Sequence, residues 1–173
     1  MDKIEILISE EEIYNRLDEI AKQIDIDYEG KEIRLICVLK GSLFVTCELA
    51  KRIKTPVTFD FLTASSYGNE TITSGNVKIV NDLSEDIHDK DVIIIEDIID
   101  TGITLDNLIK LLKQRNPNSI EICTLLSKPS RRLINVDVKY IGFEIEDKFV
   151  VGYGLDYMQK YRNLPYIGVI NNS

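Results

Sequence analysis

Three acids and two threonines lie close together in the middle of the chain. In order they are Glu96 and Asp97 after the apolar run 92–95, then Asp100, and then the turn Thr101-Gly102-Ile103-Thr104. Paired carboxylates accept hydrogen bonds from neighbouring hydroxyl groups and help to hold Mg²⁺, directly or through water. A helix that begins after the turn would direct unpaired N–H groups and a positive dipole end at an anion, which favours phosphate. The pattern predicts a site for a ligand that carries both hydroxyl and phosphate groups.

The same residues also have a purely structural interpretation, in which Glu96 and Asp97 cap a strand and Thr101 caps the following helix. Neither common nucleotide loop is present, because the sequence has no G-x-x-x-x-G-K-[ST] and Tyr157 replaces the third glycine of a G-x-G-x-x-G that starts at Gly152. An acidic pair alone would favour the structural interpretation. The complete pattern from Val92 to Thr104 favours a functional one.

The elements that must position these residues follow from hydrophobic periodicity. Val92 to Ile95 are four consecutive β-branched residues, apolar on both faces, as in the middle of a parallel sheet. The helix after the turn has its apolar positions at i, i+3, i+4 and i+7. These positions are Leu105, Leu108, Ile109 and Leu112.

Strands alternate with helices along the rest of the chain. A capping box of Ser9 and Glu12 predicts a first helix, and a second helix is expected to begin near Ser42. Strands are predicted at 34–39, 57–62, 77–79, 91–96, 120–126, 138–143 and 166–170. This order predicts an α/β fold with a mostly parallel central sheet flanked by helices, in which ligands bind beyond the carboxyl ends of the strands.

Composition limits the classes of function. The 173 residues fit one domain, 1–173, and a net charge of −8 disfavours a nucleic-acid partner. A single histidine argues against a zinc site or a serine–histidine triad. The charged first nine residues and the short apolar runs predict no signal peptide and no membrane span, so we expect a cytoplasmic protein.

The segment from Glu96 to Thr104 resembles the donor-binding signature of the type I phosphoribosyltransferases, an apolar strand followed by two acids and a Thr/Gly-rich turn. Further segments, in family order from about residue 35 to the C-terminus, resemble the hypoxanthine-guanine members of that family. They are Leu39-Lys40-Gly41, Ser66-Tyr67, Ser127-Lys128, residues 142–157 and Tyr161-Arg162. The resemblance implies the type I phosphoribosyltransferase fold, with a small hood formed by the N- and C-terminal segments.

The resemblance also implies roles on the donor side of the reaction. The donor is phosphoribosyl pyrophosphate, and each of its parts has an expected set of contacts. The ribose hydroxyls would meet Glu96 and Asp97; the 5′-phosphate would meet Thr101, Gly102, Ile103 and Thr104; pyrophosphate would meet Lys40, Gly41 and Arg162; and Mg²⁺ would be held by Asp156 with Glu96 and Asp97. In this family the Leu39–Lys40 peptide bond is expected to be cis, and Ile103, apolar here, would contribute only its backbone.

On the base side, the resemblance implies a purine that carries a 6-oxo group. Asp100 would act near N7 as general base or acid, and Lys128 would donate to the 6-oxo group. Phe149 would stack on the ring while the Val150 backbone reads its edge, and Ser66 and Tyr67 would lie on a loop that closes over the centre. Taken singly, Lys128 could be a solvated lysine, Phe149 a core residue, Asp156 a turn cap and Arg162 a member of a surface ion pair.

The implied activity is purine salvage, the transfer of a phosphoribosyl group to N9 of hypoxanthine and guanine through an oxocarbenium-like transition state. The use of xanthine is left open, and adenine should be poor because its amino group would face the Lys128 ammonium. Family members are dimers or tetramers, so a homodimer or homotetramer is expected. Two other classes of function fit less well: a nucleic-acid-binding regulator of the same fold, which needs a basic face, and a phosphoacceptor domain, whose acids should follow the first strand.

Overall fold

The computed structural model describes residues 3–66 and 77–171. Within these ranges the chain forms nine strands, three α-helices and one 3₁₀ turn. In chain order they are β1 (Lys3–Ile8), α1 (Glu10–Asp27), β2 (Ile33–Val38), α2 (Leu43–Ala50), β3 (Val57–Ser66), β4 (Val77–Asn81), β5 (Asp91–Ile99), α3 (Ile103–Lys113), β6 (Ser119–Ser127), the 3₁₀ turn (Pro129–Arg131), β7 (Tyr140–Glu144), β8 (Val150–Val151) and β9 (Ile167–Asn171).

Six of the described strands form the main sheet, in the order β4-β3-β2-β5-β6-β7. Every neighbouring pair is parallel except β3 and β4, which are antiparallel at one edge. Helices cover both faces, because alternate residues of the central strand β5 face opposite sides. Ile93 and Ile95 pack with α1 and α2, whereas Val92 and Ile94 pack with α3. The predicted α/β fold with a mostly parallel sheet is therefore confirmed.

The remaining three described strands form a small antiparallel sheet in the order β1-β9-β8. This is the predicted hood, built from the N- and C-terminal segments, with Lys3 opposite Asn171. Neither β1 nor β8 is predicted by the sequence pattern. Three of the six residues of β1 are exposed and only one is buried, and their partners lie at the other end of the chain. Strand β8 has only two residues, too few for a periodic pattern.

The first helix is stabilised by the predicted capping box. The Ser9 hydroxyl accepts from the Glu12 N–H at 3.2 Å, and the Glu12 carboxylate accepts from the Ser9 N–H at 2.8 Å. The buried face of α1 includes the apolar residues Ile13, Leu17 and Ile24. Among the described helices, none combines the length and the apolar character needed to cross a membrane.

The end of β5 differs from its prediction in a way that shapes the site. The strand was expected to stop at Glu96, but it continues to Ile99 because it stays paired with β6 as far as Ser127. Its pairing with β2 stops at Ile95. Glu96 and Asp97 thus lie within a strand that is still paired with β6 on one edge and no longer paired with β2 on the other.

Candidate active site

The turn after β5 forms a cleft of about 170 Å³ at the N-terminus of α3. Gly102 precedes the helix with φ of 83°, and a Cβ there would lie 2.6 Å from the Ile134 carbonyl oxygen, so only glycine fits. The N–H groups of Leu133 and Ile134 donate to the Thr101 carbonyl at 3.0 and 3.1 Å and hold the turn in place. Gly102 is the N-cap residue of α3, and the Thr101 hydroxyl accepts from the Ile103 N–H, the first of the helix, at 3.4 Å.

The lining of this cleft suits a phosphate. It consists of Glu96, Ile98, Ile99, Asp100, Thr101, Gly102, Thr104 and Leu105. The N–H groups in the first turn of a helix have no partner within the helix. In α3 the Ile103 N–H donates to Thr101 Oγ1 at 3.4 Å, and the two threonine hydroxyls can act as further donors. Of the four residues predicted to contact the 5′-phosphate, Thr101, Gly102 and Thr104 line this cleft, whereas Ile103 is not among its lining residues.

The carboxyl groups of Glu96 and Asp97 are largely surrounded by protein atoms, although both residues are only partly buried. Burial and the neighbouring charge of Asp97 raise the pKa of Glu96 well above its usual value. Burial also raises the pKa of Asp97, against the opposing effect of the Ile98 N–H, which donates to its carboxylate at 2.8 Å. Within the described ranges no residue donates a hydrogen bond to the Glu96 carboxylate, so hydroxyl donors of a ligand could stabilise it.

A second pocket, of about 400 Å³, adjoins the cleft. Its lining includes Ile98, Asp100, Lys128, Arg131, Asp147, Phe149, Val150, Leu155 and Asp156. Lys128 is 8% exposed, so it is not a solvated lysine. Phe149 is 55% exposed, so it is not a core residue, and its ring contacts Tyr157 edge-on with centroids 5.6 Å apart. A flat ring could stack on the exposed side of Phe149.

Asp100 lines both the cleft and the pocket. Its Oδ1 accepts from the Arg131 Nε at 2.7 Å, and Arg131 Nη1 also contacts Asp147 at 3.2 Å. Lys128 Nζ lies 3.5 Å from the other oxygen of Asp147. Arg131 is the main cause of a lowered pKa at Asp147. The carboxylate predicted to handle a proton thus lies between a phosphate-sized cleft and a ring-sized pocket.

Lys40 and Gly41 join β2 to α2 beside the acidic pair. The Leu39–Lys40 peptide bond is cis, as the resemblance implied. A Cβ on Gly41 would collide with the Asp97 carboxylate, and one on Gly154 would collide with the Gly41 carbonyl oxygen. The loop is therefore held tightly between β5 and the segment after β8, while the Lys40 side chain is exposed.

Asp156 and Arg162 face each other at the edge of the pocket. Arg162 Nη2 lies 2.8 Å from Asp156 Oδ1, and Arg162 Nη1 donates to the Gly154 carbonyl at 2.7 Å. The Gln159 N–H donates to Asp156 Oδ2 at 2.8 Å. Their side chains are 26% and 25% exposed, so this is a half-buried pair rather than a freely solvated one.

The acidic residues suit Mg²⁺ that arrives with a phosphorylated ligand. Within residues 3–66 and 77–171 no group of three or more His, Cys, Asp or Glu side chains could hold a metal alone. Mg²⁺ in proteins is usually held by one or two carboxylates together with water and substrate phosphates. The oxygen donors of Asp156, or of Glu96 and Asp97, match that requirement.

Two predicted loop residues contribute little to this description. Ser66 ends β3, where it pairs with Val77, but its side chain is not among those described. Tyr67 lies outside the described residues. Two pocket residues, Arg131 and Asp147, were missed by the sequence analysis. The run Lys128-Pro-Ser-Arg-Arg132 offered a signal, because it gathers three cations directly after a strand.

Comparisons with known proteins agree over nearly the whole chain. A model of the phosphoribosyl transferase domain matches residues 5–158. A hypoxanthine-guanine phosphoribosyltransferase from Staphylococcus aureus strain Mu50 is 48% identical over 169 residues, covering 98% of this chain and 94% of that protein. A hypoxanthine phosphoribosyltransferase from Salmonella typhimurium strain LT2 is also 48% identical, covering 96% of this chain and 95% of that protein.

Solved structures give the same result. A hypoxanthine phosphoribosyltransferase from Staphylococcus aureus matches with a TM-score of 0.94 and 48% identity, covering 96% of this chain and 91% of that chain. A hypoxanthine-guanine phosphoribosyltransferase from Bacillus anthracis, which holds a HEPES molecule in its active site, matches with a TM-score of 0.94 and 47% identity. That match covers 99% of this chain and all of the other.

Proposed function

The chain belongs to the phosphoribosyltransferase family, and on that basis we propose that it transfers the 5-phosphoribosyl group of phosphoribosyl pyrophosphate to N9 of hypoxanthine and guanine. The products are IMP or GMP and pyrophosphate, so the reaction salvages free purines. Relatives with these activities are 48% identical over almost the full length. Xanthine carries the same 6-oxo group and is therefore the third purine to test as an acceptor.

The observation that carries this proposal is the position of Asp100 between two different recognition sites. On one side lies the cleft at the N-terminus of α3, suited to a phosphate, and on the other lies the pocket with Lys128 and Phe149, suited to a 6-oxopurine. A phosphoribosyltransferase must hold these two groups at once, with the bond-forming carbon between them. Neither a nucleic-acid regulator nor a phosphoacceptor domain requires a base pocket beside the phosphate cleft.

On the donor side, the N–H groups and hydroxyls of residues 101–104 would hold the 5′-phosphate, and Glu96 and Asp97 would accept from the ribose hydroxyls. Hydroxyl donors would stabilise two carboxylates whose burial disfavours their charge. Lys40, Gly41 and Arg162 would contact pyrophosphate. As the bond from C1′ to pyrophosphate breaks, cationic side chains stabilise the leaving negative charge.

On the base side, Lys128 would donate to the 6-oxo group, Phe149 would stack on the ring and the Val150 backbone would contact its edge. N9 attacks C1′ as pyrophosphate leaves, and the N7 proton passes to Asp100. General acid–base catalysis of this kind contributes typically ~10²–10⁴-fold to the rate. Ser66 and Tyr67 would belong to a loop over the reacting centre.

We further propose Mg²⁺ as the cofactor, held by Asp156 and by Glu96 with Asp97. When bound, it would neutralise charge on the pyrophosphate. The oxygen-only donors support this assignment. To accept a metal, Asp156 would exchange its contact with Arg162, which frees the guanidinium for pyrophosphate.

The enzyme is proposed to act as a homodimer or homotetramer in the cytoplasm. The three cysteines are free thiols, which is typical of a reducing compartment. Four large apolar side chains, on α2 and β3, are between 39% and 46% exposed, which supports association. They are Leu43, Phe44, Phe59 and Phe61.

An ultraviolet assay with phosphoribosyl pyrophosphate tests the proposed activity. Hypoxanthine, guanine, xanthine and adenine are each supplied, with Mg²⁺ and with a chelator. Turnover of hypoxanthine and guanine, little turnover of adenine, and loss of activity with the chelator are expected. No turnover of any 6-oxopurine by the folded wild type would contradict the proposed function.

The variant Lys128→Ala tests base recognition in the same assay. A hydrogen bond to a charged group contributes about 1.5–3 kcal/mol, so kcat/KM for hypoxanthine should fall roughly 10- to 100-fold. Adenine turnover should change little, so the preference of the enzyme for hypoxanthine over adenine should become smaller. Lys110→Ala is the matched control, because Lys110 is an exposed lysine paired with Asp106 on α3. An unchanged preference in Lys128→Ala would contradict this role.

A further inference from the structure

Arg131 links the two side chains that are proposed to bind the purine, Asp100 directly and Lys128 through Asp147. It donates from Nε to Asp100 at 2.7 Å and from Nη1 to Asp147 at 3.2 Å, and Asp147 also contacts Lys128. We refer to Asp100, Arg131, Asp147 and Lys128 as the rim network. We infer that Arg131 is a positioning residue that orients the Asp100 carboxylate toward the purine N7; this inference rests on the proposed function.

The backbone fixes Arg131 relative to Asp100. The Lys128 N–H donates to the Ile99 carbonyl at 2.9 Å, directly before Asp100, and the Arg131 N–H donates back to the Lys128 carbonyl at 3.1 Å. The 3₁₀ turn that carries Arg131 is thus attached to the end of β5 through two hydrogen bonds. Asp147, from the segment after β7, holds the outer edge of the guanidinium.

Arg131 leaves one oxygen of Asp100 available for a substrate. Its Nε contacts Oδ1, and within the described ranges no hydrogen bond to Oδ2 is present. A planar guanidinium that contacts two carboxylates restricts the rotation of both. Because Asp100 also lines the pocket, its carboxylate lies beside the space where the ring would bind.

This contact contributes little to stability in the open site. Arg131, Asp100 and Asp147 are 46%, 42% and 49% exposed, and ion pairs with that exposure are weak. A bound purine would displace water from the pocket, which strengthens the contact because the effective dielectric constant falls. The effect of Arg131 is therefore expected in turnover rather than in unfolding temperature.

Single variants test the effect on turnover. Arg131→Ala should lower kcat for hypoxanthine by about 10- to 100-fold, since a small misplacement of a reacting group can reduce the rate by that factor. The KM for phosphoribosyl pyrophosphate should stay within about twofold, because Arg131 does not line the phosphate cleft. Arg131→Lys keeps the positive charge but lacks the planar guanidinium that contacts two carboxylates at once. Its kcat should therefore lie between those of the wild type and Arg131→Ala.

The matched control is Arg115→Ala. Arg115 also donates two hydrogen bonds to a carboxylate, that of Asp82, but it follows the far end of α3 from the phosphate cleft. Its removal should leave kcat unchanged. Circular dichroism and thermal melting of each variant establish that the protein is folded before its kinetics are compared.

A double-mutant cycle shows whether Arg131 acts through Asp100. In an Asp100→Asn background, measured with radiolabelled hypoxanthine, Arg131→Ala should lower kcat no further. An equal loss in both backgrounds would overturn the inference, as would a kcat for Arg131→Ala equal to or above that of the wild type. Failure of the wild type itself to use 6-oxopurines would overturn the proposed function instead, so the two failures are distinguishable.

Discussion

Glu96 and Asp97 are adjacent acids in a strand whose preceding residues are fully buried. Burial and mutual repulsion raise the pKa of Glu96, which means that ionising it in the free protein is unfavourable. A folded pKa above the unfolded value means that the folded chain retains a proton which the unfolded chain releases. Stability therefore falls as the pH rises from about 4.3, the ordinary pKa of glutamate, through the raised pKa.

We predict that Glu96→Gln stabilises the free protein while lowering its activity. The amide cannot ionise, so at pH 7.5 the variant should unfold a few degrees above the wild type, given that about 1 kcal/mol corresponds to roughly 2–4 °C at this chain length. The difference should disappear near pH 4, where the wild-type carboxyl is protonated too. Thermal melts of the wild type and the variant across this pH range measure the gain in stability at pH 7.5 and its loss near pH 4.

Glu121→Gln is the control for this prediction, because it removes a half-buried acid from the neighbouring strand β6. It should show no comparable gain at pH 7.5. A Glu96→Gln variant that melts at or below the wild-type temperature at neutral pH would contradict the argument that ionised Glu96 destabilises the free protein. Such a trade between stability and activity is common where an active site holds unfavourable charge.

The turn between β5 and α3 depends on a backbone conformation that only glycine adopts easily. Gly102 has φ of 83°, and the position that a Cβ would occupy lies 2.6 Å from the Ile134 carbonyl oxygen. The turn is fixed from outside by two N–H donors of residues 133 and 134. The phosphate cleft is therefore a joint product of the β5–α3 turn and the segment that follows the 3₁₀ turn.

Gly102→Ala should weaken donor binding more than it weakens the fold. The left-handed conformation costs an alanine about 1–2 kcal/mol, and the added methyl must also displace the Ile134 carbonyl. We expect the KM for phosphoribosyl pyrophosphate to rise at least about tenfold as the N–H groups of the turn move. Steady-state kinetics with varied donor concentration measure this effect.

Gly30→Ala separates the backbone strain from the effect on the site. Gly30 also has a positive φ, of 74°, but a Cβ there would meet no atom within 4 Å. It should lower the melting temperature slightly and leave the KM unchanged. Equal KM values for the two variants would show that the Gly102 turn does not hold the donor.

The full chain combines a sheet with two covered faces and a hood that reaches the active site. The hood strands pair residues from the two ends of the chain, and the segment after β8 packs through Gly154 onto Gly41. Phe59 and Phe61 of β3 are in register with Leu35 and Cys37 of β2, on the face covered by α1 and α2. They are 46% and 41% exposed, so α2 leaves this part of the face uncovered.

We predict that this uncovered face contributes to self-association. Phe59→Ser/Phe61→Ser should shift the protein from the proposed dimer or tetramer toward the monomer, because the interior of stable interfaces is apolar and rich in aromatic residues. Light scattering coupled to size-exclusion chromatography measures the mass. Ile26→Ser, on the exposed face of α1, is the control and should not change it. An unchanged mass in the double variant would exclude this face from the interface.

Local pattern was sufficient for much of the fold and for placing the segment from Glu96 to Thr104 at the end of β5 and the start of α3. The four β-branched residues before Glu96, the capping box at Ser9 and the periodic leucines of α3 specify their elements through short-range sterics and burial, so these predictions were confirmed. The assignment of Lys128 and Phe149 to the base pocket came from the resemblance to a known family and not from periodicity. Their roles in binding the purine are predictions.

Tertiary structure decided what depends on contacts between distant residues. The extension of β5 to Ile99 follows from its pairing with β6, the strand β1 exists because β9 lies beside it, and Arg131 reaches Asp100 only because two strand ends are adjacent. Hydrophobic periodicity records which face of an element is buried, but not which side chain lies opposite. Pairings between remote residues are fixed by the packing of the whole chain, and that information is spread over many positions of the sequence.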